Sequence, residues 1–128
     1  MNFTIENGKV TGEFEFGSLS ISSNEELGFR PIQLFISSLA GCSGTLLGNI
    51  LRKKRIEWSK IEIDTDVVRN PDQANRIEHI GFKANVFSDK QLTEEQSAKL
   101  SALVIQHCGM IQSVINSIHI NFEIAFVV

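Results

Sequence analysis

The sequence has few of the residues that stabilise small secreted proteins or interrupt a compact domain. Its 128 residues include only two cysteines and two prolines. Two cysteines are too few for a disulfide scaffold. The composition is even along the chain, with no internal repeat and no linker, so we expect a single domain over residues 1–128.

An excess of charge of one sign is also missing. Twelve basic and 15 acidic residues give a net charge of −3, which disfavours general nucleic-acid binding. Hydrophobic residues make up 42% and charged residues 21%, as in ordinary globular proteins, and this composition argues against intrinsic disorder. The first ten residues lack the apolar core of a signal peptide, so we expect a cytoplasmic protein.

The longest distinctive segment runs without a charged residue from Pro31 to Leu51, and the basic run Arg52–Arg55 follows. Its length and basic flank are compatible with a membrane span. Polar residues inside it instead favour a buried helix of a soluble protein, from Pro31 to about Lys54. Apolar residues surround this helix and one sheet covers only one side, so we expect a homodimer to bury the rest.

Alternating apolar and polar residues predict strands on both sides of the helix. Asn7-Gly8 predicts a hairpin that joins strands at residues 3–6 and 10–16, with Phe14 and Phe16 facing the core. Thr93 with Gln96 matches a capping box. The remaining predicted elements are strands near residues 19–21, 61–67, 80–86 and 118–126 and helices near residues 93–107 and 110–116. This order predicts an α+β fold with a mainly antiparallel sheet.

The two cysteines are the main candidates for chemistry. Cys42 lies within the long helix, Cys108 follows the capped helix, and Gly41 and Gly109 beside them permit close approach of another group. Cys108 also precedes a short helix, whose N-terminal dipole favours a thiolate. A thiolate attacks peroxides, and a second cysteine captures the resulting sulfenic acid as a disulfide. The alternative is two buried cysteines that act as small hydrophobic residues.

Residues 31–42, PIQLFISSLAGC, resemble the signature of the OsmC/Ohr family, the osmotically inducible protein C-like and organic hydroperoxide reductase-like proteins. In that family a proline leads a long central helix that carries a small-small-Cys sequence. Residues 108–111, CGMI, resemble the family's second cysteine, and the order of elements matches along essentially the whole chain. The resemblance implies an α+β OsmC-like fold, with mainly antiparallel sheets packed around the helix, and an intertwined homodimer with active sites at the subunit interface.

The resemblance also implies an activity, the thiol-dependent reduction of organic hydroperoxides. It assigns Cys42 as the peroxidatic cysteine and Cys108 as the resolving cysteine. The reductant would be a dithiol, such as a lipoyl group, or a small thiol, with no other cofactor. We expect no metal, because the adjacent His107 and Cys108 lack the spacing of a zinc site.

The sequence departs from the family pattern around Pro31. Organic hydroperoxide reductases use an arginine from the N-terminal region to hold the thiolate and a glutamate directly after the proline to orient it. Here Ile32 follows Pro31, and no arginine precedes Arg30. Without a cation, apolar burial is expected to raise the pKa of Cys42. Four side chains are candidates to support the site or a ligand, with Arg30 acting across a dimer: Arg30, Glu25, Glu26 and His107.

These departures leave three functions open. The first is a peroxidase with a Cys42/Cys108 redox pair. The second is an OsmC-like dimeric binding module for a small apolar or thiol-reactive ligand, with little peroxidase turnover. The third is a membrane-anchored interaction protein, which the polar residues of the long helix disfavour.

Overall fold

Three short antiparallel strands form the first sheet of the computed structural model, which describes all residues from Met1 to Val128. They are β1 (Phe3–Glu6), β2 (Lys9–Glu13) and β3 (Ser18–Ile21), in the order β1-β2-β3. Asn7 and Gly8 join β1 to β2 with φ angles of 54° and 78°. These left-handed conformations are those that a two-residue hairpin turn requires, so the predicted hairpin is confirmed.

The predicted extension of the second strand through residue 16 is wrong. The chain reverses after Glu13, because the backbone N–H groups of Phe14 and Gly17 each donate to the other's carbonyl at 3.1 Å. This turn places Phe16 at its tip, fully exposed, and leaves Phe14 37% exposed. Neither side chain faces the core, since a turn breaks the alternation on which that expectation rested.

Helix α1 (Pro31–Lys53) begins at the proline and matches its predicted bounds to within one residue. Its end is a Schellman motif, in which Arg55 is left-handed with φ 60°. The Arg55 N–H donates to Arg52 O and the Ile56 N–H to Leu51 O, both at 2.9 Å. By length and composition α1 could cross a membrane, a test that core helices of soluble proteins also meet.

The second sheet contains the longest strands, β4 (Lys60–Asn70), β5 (Arg76–Phe87) and β6 (His119–Val127). β4 pairs with β5 in antiparallel fashion, whereas β6 pairs with β5 in parallel. The parallel pairing needs a crossover, which helices α2 (Glu94–His107) and α3 (Gly109–Val114) supply. Three of the four strand pairings are therefore antiparallel, in agreement with the predicted α+β class.

These elements form two compact units, Met1–Ser38 and Leu39–Val128. The core of the second unit combines the buried side of α1 with the inward faces of β5 and β6 and one face of α2 and α3. Its most buried hydrophobic residues are Leu39, Leu47, Leu51, Ile80, Phe82, Ala84, Val86, Leu100, Val104, Cys108 and Ile111. At the start of α2, Thr93 accepts a hydrogen bond from the Gln96 N–H while Gln96 accepts one from the Thr93 N–H, which confirms the predicted capping box.

Two glycines let α1 approach β4 and the residues before it. A Cβ at Gly48 would lie 2.8 Å from Trp58 Cζ2, and a Cβ at Gly44 would lie 3.0 Å from Ile63 Cδ1. The Trp58 indole also donates to Gly48 O at 3.4 Å, and the Arg52 guanidinium lies 4.7 Å from the Trp58 ring centroid. Trp58 therefore packs at the helix–strand junction.

We expect Gly48→Ala and Gly41→Ala to change stability in opposite directions. Alanine at 48 forces Trp58 away from α1, which is expected to lower the free energy of unfolding by about 1–3 kcal/mol. Alanine at 41 meets no atom within 4 Å and is expected to raise it by up to about 1 kcal/mol through helix propensity. Urea denaturation followed by Trp58 fluorescence measures both, and equal effects at the two positions would contradict this account of Gly48.

Candidate active site

Cys108 occupies the junction between α2 and α3. It caps the end of α2 with φ −80° and ψ 110°, and its N–H donates to Val104 O at 2.9 Å. Its carbonyl accepts a hydrogen bond from Gln112 N at 2.9 Å, so the same residue begins α3. This extended residue therefore separates the two helices. The first N–H groups of α3 have no hydrogen-bond partner within α3 and are free to donate to another group.

Cys42 comes to this junction from the middle of α1. Its side chain is half-buried, whereas its neighbour Ser43 is fully buried and donates to Leu39 O at 2.7 Å. The Cys108 thiol lies close enough to Cys42 to help lower the pKa of Cys42. Both residues are free cysteines, Cys42 partly accessible and Cys108 buried. The structure thus brings together two thiols that are 66 residues apart in the sequence.

Backbone donors lower the pKa of Cys42 below its ordinary value. The largest cause is hydrogen bonding from the Met110 N–H, followed by the Cys108 thiol, and the Gly109 N–H contributes less. Burial acts in the opposite direction but does not prevail. The expectation that Cys42 would have a raised pKa without an arginine is therefore wrong, because backbone N–H groups supply the positive potential that a cation would provide.

Cys108 shows the opposite behaviour. Burial is the main cause of its raised pKa, and the hydrogen bond and negative charge of Cys42 raise it further. The expectation that the dipole of the short helix would favour a Cys108 thiolate is wrong, because burial outweighs the Ile111 and Met110 N–H groups, which lower this pKa. The pair therefore consists of an accessible sulfur that favours the thiolate and a buried sulfur that keeps its proton.

The other predicted site residues lie in different surroundings. Arg30 forms an exposed ion pair with Glu25, with Nη2 and Oε2 3.4 Å apart, in the unit Met1–Ser38. Glu26 is exposed, and only its backbone N–H is bonded, to Asn24 Oδ1 at 3.0 Å. His107 is exposed at the end of α2 and is not among the groups that shift either cysteine pKa. No group of three or more His, Cys, Asp or Glu side chains is placed to hold a metal ion.

Sequence reasoning did not identify the donors at Met110 and Gly109, because they are backbone groups. The signal that could have found them is the glycine after Cys108, which marks the break between two helices. Gly41 and Gly109 were expected to admit a close neighbour. A Cβ at either position would meet nothing within 4 Å, so packing within the chain requires neither glycine.

The comparison with protein families identifies the family of this fold. The family model described as OsmC-like protein matches residues 23–123, which include both cysteines. The chain belongs to the OsmC-like protein family. No curated protein sequence matches this OsmC-like chain.

Solved structures share the OsmC-like fold over nearly the whole chain. The OsmC-like protein from Mycoplasma pneumoniae superimposes with a TM-score of 0.83 at 17% identity, covering 99% of this chain and 96% of that chain. An organic hydroperoxide resistance protein from Elizabethkingia anophelis gives 0.75 at 13% identity, with coverages of 98% and 94%. The organic hydroperoxide resistance protein OhrB of Bacillus subtilis gives 0.66 at 18% identity, with coverages of 96% and 94%. Identities this low establish the fold alone.

We expect Met110→Pro to raise the pKa of Cys42, whereas Met110→Ala leaves it unchanged. Proline removes the N–H that lowers this pKa most, and it is tolerated in the first turn of a helix because the N–H there has no intrahelical partner. The measurement is the pH dependence of Cys42 alkylation by iodoacetamide, followed by peptide mass spectrometry. Identical midpoints in wild type and Met110→Pro would refute the role of this N–H.

Proposed function

We propose that this OsmC-like protein is a thiol peroxidase that reduces organic hydroperoxides with Cys42 and Cys108. One observation carries the proposal: a partly accessible thiol with a lowered pKa lies beside a buried thiol with a raised pKa. Structural relatives named organic hydroperoxide resistance proteins support the substrate class. The thiolate is the reactive form of cysteine, and the backbone donors favour it at Cys42.

In the first step the Cys42 thiolate attacks the distal oxygen of the hydroperoxide. A sulfur–oxygen bond forms as the O–O bond breaks, and the alkoxide takes a proton from water to leave as the alcohol. Cys42 becomes a sulfenic acid, oxidised by two electrons. The N–H groups of Met110 and Gly109 hold the sulfur in place before attack.

In the second step Cys108 resolves the sulfenic acid. Its thiol loses a proton, its sulfur attacks Cys42 Sγ, and the hydroxyl leaves as water, so a disulfide forms. The raised pKa of Cys108 keeps this thiol protonated, and therefore unreactive towards peroxide, until its neighbour is oxidised. An external dithiol or a pair of small thiols returns two electrons and two protons to the disulfide, which restores the pair.

Titration with cumene hydroperoxide tests this cycle. Wild type is expected to lose both thiols with one equivalent of peroxide, because one turnover consumes two electrons. Cys108→Ser is expected to stop at a Cys42 sulfenic acid that dimedone traps, and Cys42→Ser to react only at the rate of an ordinary buried thiol. Equal peroxide consumption by wild type and Cys42→Ser would show that Cys42 is not the peroxidatic cysteine.

A binding function is the second candidate, and the surroundings of Cys42 give a specific reason for it. No cationic side chain is among the groups that lower its pKa, so the Cys42 thiolate is favoured only by backbone donors and one thiol. The site would then hold a small apolar or thiol-reactive molecule without rapid turnover. The same titration separates the two functions, since a binding module loses its thiols no faster than free cysteine does.

We further propose that the protein acts as a cytoplasmic homodimer. In the first sheet one face carries a continuous apolar surface, in which no side chain is fully buried. Ile5 is 80% exposed and Phe3 is 47% exposed. Half-buried apolar residues also remain on α1, namely Leu34, Phe35, Ile36, Leu46 and Ile50. Exposed apolar area of this kind is typical of an interaction surface.

We expect Ile5→Glu to dissociate the dimer and Thr4→Glu to leave it intact. A carboxylate at position 5 lies on the apolar face and would be buried without a partner at the interface, whereas Thr4 points to the opposite face of β1. Sedimentation velocity in detergent-free buffer measures the assembly. A wild-type monomer at all concentrations would refute the homodimer, and a protein that needs detergent to remain in solution would point to membrane anchoring.

A further inference from the structure

A cavity of about 280 Å³ lies where the segment after α1 meets the start of α2. Its apolar lining consists of Ile56, Leu92, Leu100 and Leu103. Ile56 and Leu100 are 5% and 3% exposed, so they form a fixed floor rather than mobile surface chains. Leu100 precedes Cys108 by eight residues, roughly 12 Å along a helix, so this cavity is separate from the cysteine pair.

Three lysines surround this floor, and no acidic residue lines the cavity. Lys54 and Lys90 form no ion pair, and Lys99 has only an exposed contact with Glu95 at 3.7 Å. The chain as a whole carries more acidic than basic residues, so a group of three ammonium ions with a single acidic partner is a local exception. A helix C-terminus accounts for a cation at Lys54 but not for Lys90 or Lys99, which precede or lie within α2.

The backbone that carries Lys90 is held in place before any ligand arrives. The Lys90 N–H donates to Ser88 Oγ at 3.1 Å, and Ser88 Oγ donates to Glu57 O at 2.6 Å. This network joins the loop before α2 to the segment that follows α1. The backbone at Lys90 is therefore already ordered, which reduces the entropy lost when the loop binds a ligand.

We propose that this cavity binds a small anionic amphiphile, with a carboxylate or phosphate head at the lysines and a short acyl or aryl tail on the leucine floor. Ammonium groups recognise both heads as point charges. An anion without a tail makes no contact with the apolar floor, and a neutral molecule gains no binding energy from the lysines. Tight binding therefore requires both parts. The volume is near the lower end of ligand cavities, roughly 300–1,000 Å³, which favours a short chain.

Isothermal titration calorimetry with octanoate and octyl phosphate tests the proposal on the full chain. We expect one site per protomer, with affinity that falls as salt rises. Butyrate, inorganic phosphate and 1-octanol are expected to bind much more weakly, because each lacks the tail or the charge. Equal binding of inorganic phosphate or of 1-octanol would overturn the proposal.

A pair of charge-matched variants locates the site. Lys54→Gln/Lys90→Gln is expected to weaken octyl phosphate binding by about tenfold or more, because two charge-assisted contacts are lost. Lys53→Gln/Lys83→Gln removes the same charge from residues that do not line the cavity, and should bind as wild type does. Equal losses in both variants would show diffuse attraction and overturn the site.

The source of the anionic head is tested with vesicles. Phosphatidylglycerol vesicles that compete with octyl phosphate for the same lysines would identify a membrane lipid as one source of the ligand, whereas failure to compete would restrict the ligand to free amphiphiles. Binding to vesicles with no binding of either octyl compound would overturn the proposal in favour of surface adsorption. None of these measurements involves a cysteine, so they test this site independently of the proposed peroxidase activity.

Discussion

The hydrogen bonds from the first turn of α3 to Cys42 are the interaction on which the candidate chemistry depends. They exist because α2 ends at His107 and α3 restarts after a single extended residue, Cys108. A continuous helix through this region would have bonded the same N–H groups internally. The helix break therefore creates both the donors and the position of the second thiol, and either feature without the other would leave Cys42 less activated.

A charged partner is not the only means of activating a thiol. Backbone N–H groups lose no side-chain entropy when they donate, and their dipoles do not depend on pH. An arginine side chain, by contrast, must be held in place by further groups. In this chain the one arginine near the start of α1 is engaged with Glu25 at the surface. Hydrogen bonds from backbone N–H groups explain why the pKa of Cys42 is lowered. They do so although Ile32 occupies the position at which family reductases carry glutamate.

The parts of the fold that depend on local chemistry could be predicted from sequence. Asn7-Gly8, Thr93 with Gln96, and Pro31 each act over a few residues, and the structure places them as expected. Phe14 and Phe16 misled the prediction because alternation continues into a turn whose hydrogen bonds are backbone bonds. The pKa shifts of Cys42 and Cys108 were predicted in the wrong direction, since they depend on the burial of Cys108 and on a contact between segments that are distant in the sequence.

The parallel pairing of β6 with β5 has a consequence for the order of assembly. β4 and β5 are joined by a short turn, whereas β6 must wait until α2 and α3 have crossed the sheet, and such distant pairings form slowly because loop closure comes first. Until then Cys42 has none of its donors and behaves as an ordinary thiol. The reactivity proposed for Cys42 would therefore depend on a contact that forms late in folding.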